Sequence, residues 1–437
     1  PCSLISAESE NRRMDSSRVV PPRSSKRSRR FNPLAFVGPG LLVAATGVGA
    51  GDLATASIVG SRLGLGVLWA VLVGAALKYV LNEGLARWQL ATGTTLLEGV
   101  VRYLGRPVSY FFLAYLLFWS FAVGRALVSA CGVTAHALFP LFADPVTGKI
   151  VLGIVHSLAG VALVLAGGFR LFERVMSVTI GLMFVTVITT AVTLRPDLSA
   201  MLRGVLVPTI PQIGEGGLVL TVALLGGVGG TVTLLCYGYW IREVGRDAPQ
   251  DLRVCRWDLA TGYGATAIFG LGMVIVGSTV QIEGGGATLL VDLANRLGEA
   301  LGPFGRAFFL VGAWSAVASS LLGVWQSVPY LFADLWRMLV GSRNGGENGV
   351  DTSGLPYRAY LVSLGLASIA GLFSSFVQIQ MVYAVLGALF VPMLALALLL
   401  LNGKKERMGA LGNGPLAKAA LLGALGLFLV FGYLQIR

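Results

Sequence analysis

The amino-acid sequence predicts an all-α integral membrane protein of about eleven transmembrane helices, arranged as two related halves of five with one helix added. Three observations carry the prediction: a composition too apolar for water, eleven apolar windows separated by basic loops, and two glycine-interrupted windows five apart. The chain has 437 residues, 55% of them hydrophobic and 12% charged, where a soluble domain carries about 25% charge. Its 59 glycines suit membrane helices whose backbones approach closely and whose interrupted hydrogen bonds are rescued by neighbours.

A spanning helix needs about 20 apolar residues. That criterion gives windows at 34–59, 64–86, 108–138, 149–167, 173–194, 214–241, 258–281, 305–334, 357–375, 378–402 and 416–435. The windows 108–138 and 305–334 are the longest, but neither holds a central turn signal, so each is one span. Basic residues test the count. With the N-terminus inside, the inner segments hold 23 Lys and Arg, including Arg102, Arg106, Arg170, Arg174, Arg337, Arg343 and Arg358, against seven outside. This is the bias that orients membrane proteins, and it puts the N-terminus in the cytoplasm; the plasma membrane is the expected location.

Residues 1–33 are polar, Pro-containing and basic, so they read as a disordered cytoplasmic tail facing anionic headgroups. They lack the order of a signal peptide, and Met14 reads as a start. The transmembrane domain takes 34–437, with a first repeat over 34–194, a second over 214–402 and an extra helix over 416–435. The net charge of +12 belongs to topology, since its residues sit between spans and in the tail. Nucleic acid is therefore not a partner; the lipid bilayer and a small ion or solute are, and the oligomeric state is left open.

Cys2, Cys131, Cys236 and Cys255 show no CxxC spacing, and His136 and His156 are the only imidazoles. Neither a disulfide framework nor a clustered zinc site follows, and no cofactor is called for. No Walker A, GxGxxG or HExxH pattern occurs, so nucleotide and zinc-hydrolase chemistry fail at the first step and the protein is not read as an enzyme.

The interrupted windows are the first, GPGLLVAATGVGAGDLATASIVG, and the sixth, LLGGVGGTVTLLCYGYWIRE. Paired interruptions at corresponding places in two halves point to a transporter binding site on an inverted repeat. The candidate substrate-binding residues are Gly49, Asp52, Thr231, Thr233, Cys236 and Tyr237. Three readings of Asp52 stand together: an N-cap that starts a second half-helix, a ligand for a substrate or metal ion beside freed carbonyls, and an ion pair with Arg125. Thr231 and Thr233 bond their own preceding carbonyls or turn hydroxyls toward a hard cation. Cys236 reads as a small packing residue.

Glu83 and Arg87, spaced i and i+4, share a helix face and read as a salt bridge, a gate or an ion-coupling pair, with Lys78 in the same cluster. Arg125, at membrane depth, is a functional hypothesis by default, its acid being Asp52 or Glu83. His136 and His156 read as polar interface residues, and Ser315, Ser319 and Ser320 as close-packing residues.

GPGLLVAATGVGAGD followed by GSRLGLGVLW resembles the first span of the natural resistance-associated macrophage protein family, and LNEGLARWQLATGTTL and GGTVTLLCYGYW are similar to its second and sixth. The resemblance implies the LeuT-like fold, alternating access and proton-coupled transport of divalent metals. The family's Asp-Pro-Gly-Asn falls on Gly49, Ala50, Gly51 and Asp52, and its Met-Pro-His on Thr233, Leu234 and Leu235. The usual carboxylate, thioether and imidazole ligands are thus missing, and oxygen ligands favour Mg²⁺, Ca²⁺ or Mn²⁺. Transport of a hard divalent cation is the first expectation; a small organic solute, or a non-transporting receptor on the same fold, are the alternatives.

Overall fold

In the computed structural model, residues 38–279, 289–340, 350–374 and 376–436 are described; the basic tail expected over 1–33 lies outside them. The first span starts as α1 (Pro39–Gly47), with proline in its first turn, where the missing amide costs nothing. Val48–Thr55 winds as a wide π-helical segment before α2 (Ala56–Leu63). Gly64, at φ 66°, ends α2, and a tight 3₁₀ turn over Gly64–Val67 leads into α3 (Leu68–Thr92).

Ten helical stretches among the described residues are long and apolar enough to cross a membrane, and Ala56–Thr92 counts as one of them. It nevertheless reverses at Gly64. Gly40 meets Asp258, and Gly60 meets Val274 of the seventh span, which runs alongside in the same direction. The contacts of α3 run the other way, from Gly270 beside Val71 to Arg256 on Glu83. The stretch therefore holds the second half of one crossing and the whole of the next. With that division the crossings number eleven among the described residues, as the sequence predicts.

Beyond α3 an amphipathic helix, α4 (Leu96–Tyr103), opens with a capping box in which Thr95 and Glu98 satisfy each other's backbone amides. The third span is α5 (Arg106–Leu138), unsplit as expected. In α6 (Pro145–Thr193) the fourth and fifth spans, Pro145–Ala166 and Leu171–Thr193, turn back on each other. His156 and Thr186 accordingly both lie near residues 312–314. A short surface helix, α7 (Leu198–Leu206), connects the fifth span to the sixth. Thr209 straps this connection to the first hairpin, its carbonyl accepting from Trp69 Nε1 at 2.8 Å and its hydroxyl donating to Gly66 O at 3.1 Å.

The sixth span is α8 (Gly217–Gly227), an interruption, and α9 (Cys236–Glu243). Then follow α10 (Leu252–Ser278), α11 (Leu289–Val340), α12 (Leu355–Ile369), α13 (Phe376–Asn402), the single turn α14 (Lys405–Met408) and α15 (Pro415–Ile436). Helical geometry lapses in α11 at Gly302, so the eighth span is Gly302–Val340.

Glycines set the closeness of the core. A Cβ on Gly40, Gly60, Gly262 or Gly277 would come within 2.6 Å of backbone across the seam between the first and seventh spans. Small residues of this kind let membrane helices pack by van der Waals contact. Large apolar side chains such as Phe111, Phe118 and Val178 stand exposed on the outer faces, where lipid covers them.

Candidate functional site

The two interruptions meet at the centre of the bundle, and they differ in kind. Span six breaks outright. Val228 is extended, Gly229 and Gly230 take φ of 74° and 91°, a region that glycine enters without penalty, and Val232–Leu235 rewinds as a 3₁₀ turn. Span one does not unwind as its glycines suggest; it widens, as π segments often do at functional sites. Its carbonyls therefore stay largely within the coil, and the carbonyls set free belong to span six.

Asp52 sits in the wide turn and is fully buried. It is not the N-cap of α2: that place falls to Thr55, with no side-chain capping bond, because the winding continues past Asp52. The carboxylate instead crosses to span six, where Oδ2 accepts from Gly229 N–H at 3.3 Å. Oδ1 is buried without a hydrogen-bond partner. A buried acceptor left unpaired costs about 1–3 kcal/mol, a cost this junction carries at Asp52 Oδ1.

Gly49 donates its amide to Ser320 Oγ at 2.6 Å, and the same hydroxyl donates to Ala45 O at 3.3 Å. Ser320 thus pins the wide turn to α11, more than the close packing its sequence context suggests. Thr231 and Thr233 are buried in the break; the Thr231 methyl fills the space that a side chain on Gly387 would need, and Thr233 Oγ1 lies beside Gly230. Cys236 packs, with Sγ donating to Ser327 O at 3.4 Å. Tyr237 turns away from the break, donating to Asp258 Oδ2 at 3.2 Å and Cys255 O at 3.3 Å.

Lys78 is the residue whose place the sequence did not disclose. Fully buried, its Nζ donates to Gly226 O at 2.6 Å, Gly230 O at 2.8 Å and Val228 O at 3.1 Å. It does not join Glu83 and Arg87. Five residues along a helix turn about 140° around its axis, so Lys78 and Glu83 look in different directions.

Glu83 accepts from Arg87 at 2.7 Å and from Arg256 at 2.8 Å, and Arg87 also donates to the carbonyls of Leu411 and Gly412. This cluster lies at the end of the bundle at which α1 begins, where Glu83, Arg87 and Arg256 line a cavity. Asp258 reinforces it, accepting from Arg246 at 2.5 Å and from the Gly40 amide at 3.0 Å. Arg125 pairs with neither Asp52 nor Glu83: it donates to Ser374 Oγ at 2.6 Å and lies over the Phe121 ring, 5.0 Å from its centroid. His156 accepts from Trp314 Nε1 at 2.9 Å, an interface contact between spans four and eight. Among the described residues no three of His, Cys, Asp and Glu come together to hold a metal ion.

Interrupted first and sixth helices meeting at mid-bundle, within eleven crossings, define a membrane protein of the LeuT-like class. Solved structures agree: a manganese transporter of Eremococcus coleocola superposes with a TM-score of 0.71 at 15% identity, over 92% of this chain and 86% of that one. MhsT in complex with L-phenylalanine superposes at 0.62 and 15% identity, over 91% of this chain and 97% of that one. The chain belongs to the natural resistance-associated macrophage protein-like family, whose model matches residues 40–436. Among its relatives are proteins named divalent metal cation transporter MntH, from Acidiphilium cryptum (26% identity, 93% of this chain, 92% of that one) and Chromohalobacter salexigens (26% identity, 72% and 76%).

Proposed function

We propose that this protein is a secondary-active transporter of a hard divalent cation such as Mg²⁺ or Mn²⁺, set in the plasma membrane with a cytoplasmic N-terminus and driven by an ion gradient. The carrying observation is Asp52 Oδ1, a buried and unpartnered carboxylate oxygen where the two interruptions meet. Relatives named as divalent metal cation transporters support the class of cargo. The residues at the junction supply oxygen rather than sulfur or imidazole, which suits hard cations. With a single carboxylate, the ion keeps part of its water shell, as Mg²⁺ does readily.

On this reading 34–194 and 214–402 are the two repeats. Asp52 binds the ion, Gly49, Thr231 and Thr233 shape the pocket, and the Glu83–Arg87–Arg256 cluster gates one end. Alternating access rocks one group of helices against the other about the interruptions. Calorimetry of the purified protein against Mg²⁺, Mn²⁺ and Ca²⁺ tests it, with Asp52→Asn alongside. Saturable heat that Asp52→Asn removes supports the reading; no heat and no thermal stabilisation at millimolar metal overturns it. A second reading, a small organic solute, is favoured by the lack of a three-ligand cluster among the described residues. Uptake from a solute panel into liposomes, with metal having no effect, would establish that reading instead.

A further inference from the structure

The end of α8 is an unusual place for a lysine. Chain geometry leaves the helix at Val228, so carbonyls at the end of α8 lose their regular intrahelical amides; Gly227 O turns to the Gly230 amide at 3.4 Å, and the helix dipole adds partial negative charge there. Lys78 reaches this pole from α3 and places all three of its N–H donors on Gly226, Val228 and Gly230, at 2.6, 3.1 and 2.8 Å. Its stem packs against the break, with Cγ 3.5 Å from the position a Gly229 Cβ would take.

Convergent carbonyl oxygens at a helix C-terminus are also the means by which membrane transporters coordinate bare monovalent ions. Asp52 approaches the same tripeptide from the other span, through the Gly229 amide that lies between two of the three carbonyls. Two buried ionisable side chains, Lys78 and Asp52, thus bracket Val228–Gly230.

We propose that the carbonyls of Gly226, Val228 and Gly230 form a monovalent-cation site, and that the Lys78 ammonium is its permanent, covalently tethered occupant. The tethered charge holds the break in shape and excludes Na⁺ and K⁺, so the protein needs neither ion at this position. The cage goes beyond the divalent reading and does not depend on it.

The test is chemical rescue of the full chain in detergent, read as thermal unfolding in choline, Na⁺, K⁺ and n-propylammonium chlorides at equal ionic strength. Lys78→Ala should unfold at a lower temperature than the native protein in choline. It should regain stability saturably with n-propylammonium or K⁺, as a ligand bound only by the folded state produces. The native protein should unfold at one temperature in all four salts. Lys78→Gln, whose amide ends one bond short of the cage, should gain from K⁺ or Na⁺ over choline, and it serves if the alanine variant does not fold. Variants indifferent to the cation, rescue by choline equal to that by small cations, or a native protein that itself gains from K⁺ would each overturn the proposal. The readout is stability rather than metal flux, so failure of divalent binding leaves it standing and its own failure leaves divalent binding untouched.

Discussion

Replacing Gly47 by alanine should separate the two interruptions. A Cβ at position 47 would lie 2.0 Å from Gly230 N, 2.4 Å from Gly230 Cα and 2.7 Å from the Gly229 carbonyl carbon. An ordinary contact needs about 3.5 Å, so the backbones must part by about 1.5 Å. Neither side yields easily: Gly230 is fastened through its carbonyl to Lys78, and Gly229 through its amide to Asp52. Overpacking of this kind costs about 1–3 kcal/mol. At 3.3 Å, the Asp52 bond has no slack and breaks. Chemical denaturation in detergent should show the stability loss, and calorimetry should show weakened metal binding. Gly423→Ala, where a Cβ meets nothing within 4 Å, is the control. A Gly47→Ala protein as stable as the control, with unchanged metal affinity, would refute the direct contact of the breaks.

Ser320→Ala strands the buried Gly49 amide and should cost about 1–3 kcal/mol, read as a lowered denaturation midpoint and faster amide exchange over Val48–Thr55. Glu83→Gln removes the acid shared by Arg87 and Arg256. Because Arg87 keeps the Leu411 and Gly412 carbonyls, the loss should fall below the about 3–5 kcal/mol of a fully broken buried pair, and a cysteine placed near Arg256 should react faster with a polar thiol reagent. Outside the spans, the Thr147 hydroxyl, followed by the Thr147 and Val146 amides, holds the Asp144 carboxyl below its usual range. The capping contribution is therefore present above the unfolded value of about 3.9 and lost as pH falls through the lower folded value. Protection of the Val146 and Thr147 amides, taken relative to unstructured peptide at the same pH, should fall over that acid window and be lost at neutral pH in Asp144→Ala.

The helices were legible because each span advertises itself by length and apolarity; glycine clusters also serve close packing, so they located the outright break in span six but overstated the one in span one, which only widens. Asp52 was legible as a solitary charge. Its bond to Gly229 was not, since nothing local in the sequence distinguishes a carboxylate that caps its own helix from one that reaches across to another. Lys78 was missed for a related reason. Its neighbours in sequence, Glu83 and Arg87, offered a plausible cluster, and only the helical rotation and the position of α8 show that it faces elsewhere. Arg125 looked costly enough to need an acid, yet its partners are a serine and an aromatic face, with Nε left unpaired. Cys236 and Ser320 illustrate the same limit: small side chains acquire roles from partners about 90 and 275 residues away.

Lys78 and Asp52 both belong to the first 92 residues, whereas the groups they bond lie between Gly226 and Gly230. Since a polypeptide enters the membrane from its N-terminus, five crossings are synthesised before either charge can meet its counterpart. Each carries a central-helix insertion penalty of about 2.5–3.5 kcal/mol during that interval. A truncated chain ending before the sixth crossing thus retains two unsatisfied polar beacons within lipid, the kind of defect by which cellular quality control tells unfinished membrane proteins from finished ones. Arrival of the broken helix gives Lys78 its three carbonyls and Asp52 the Gly229 amide in one step, so the sixth crossing relieves both charges midway through insertion, with five crossings still to follow.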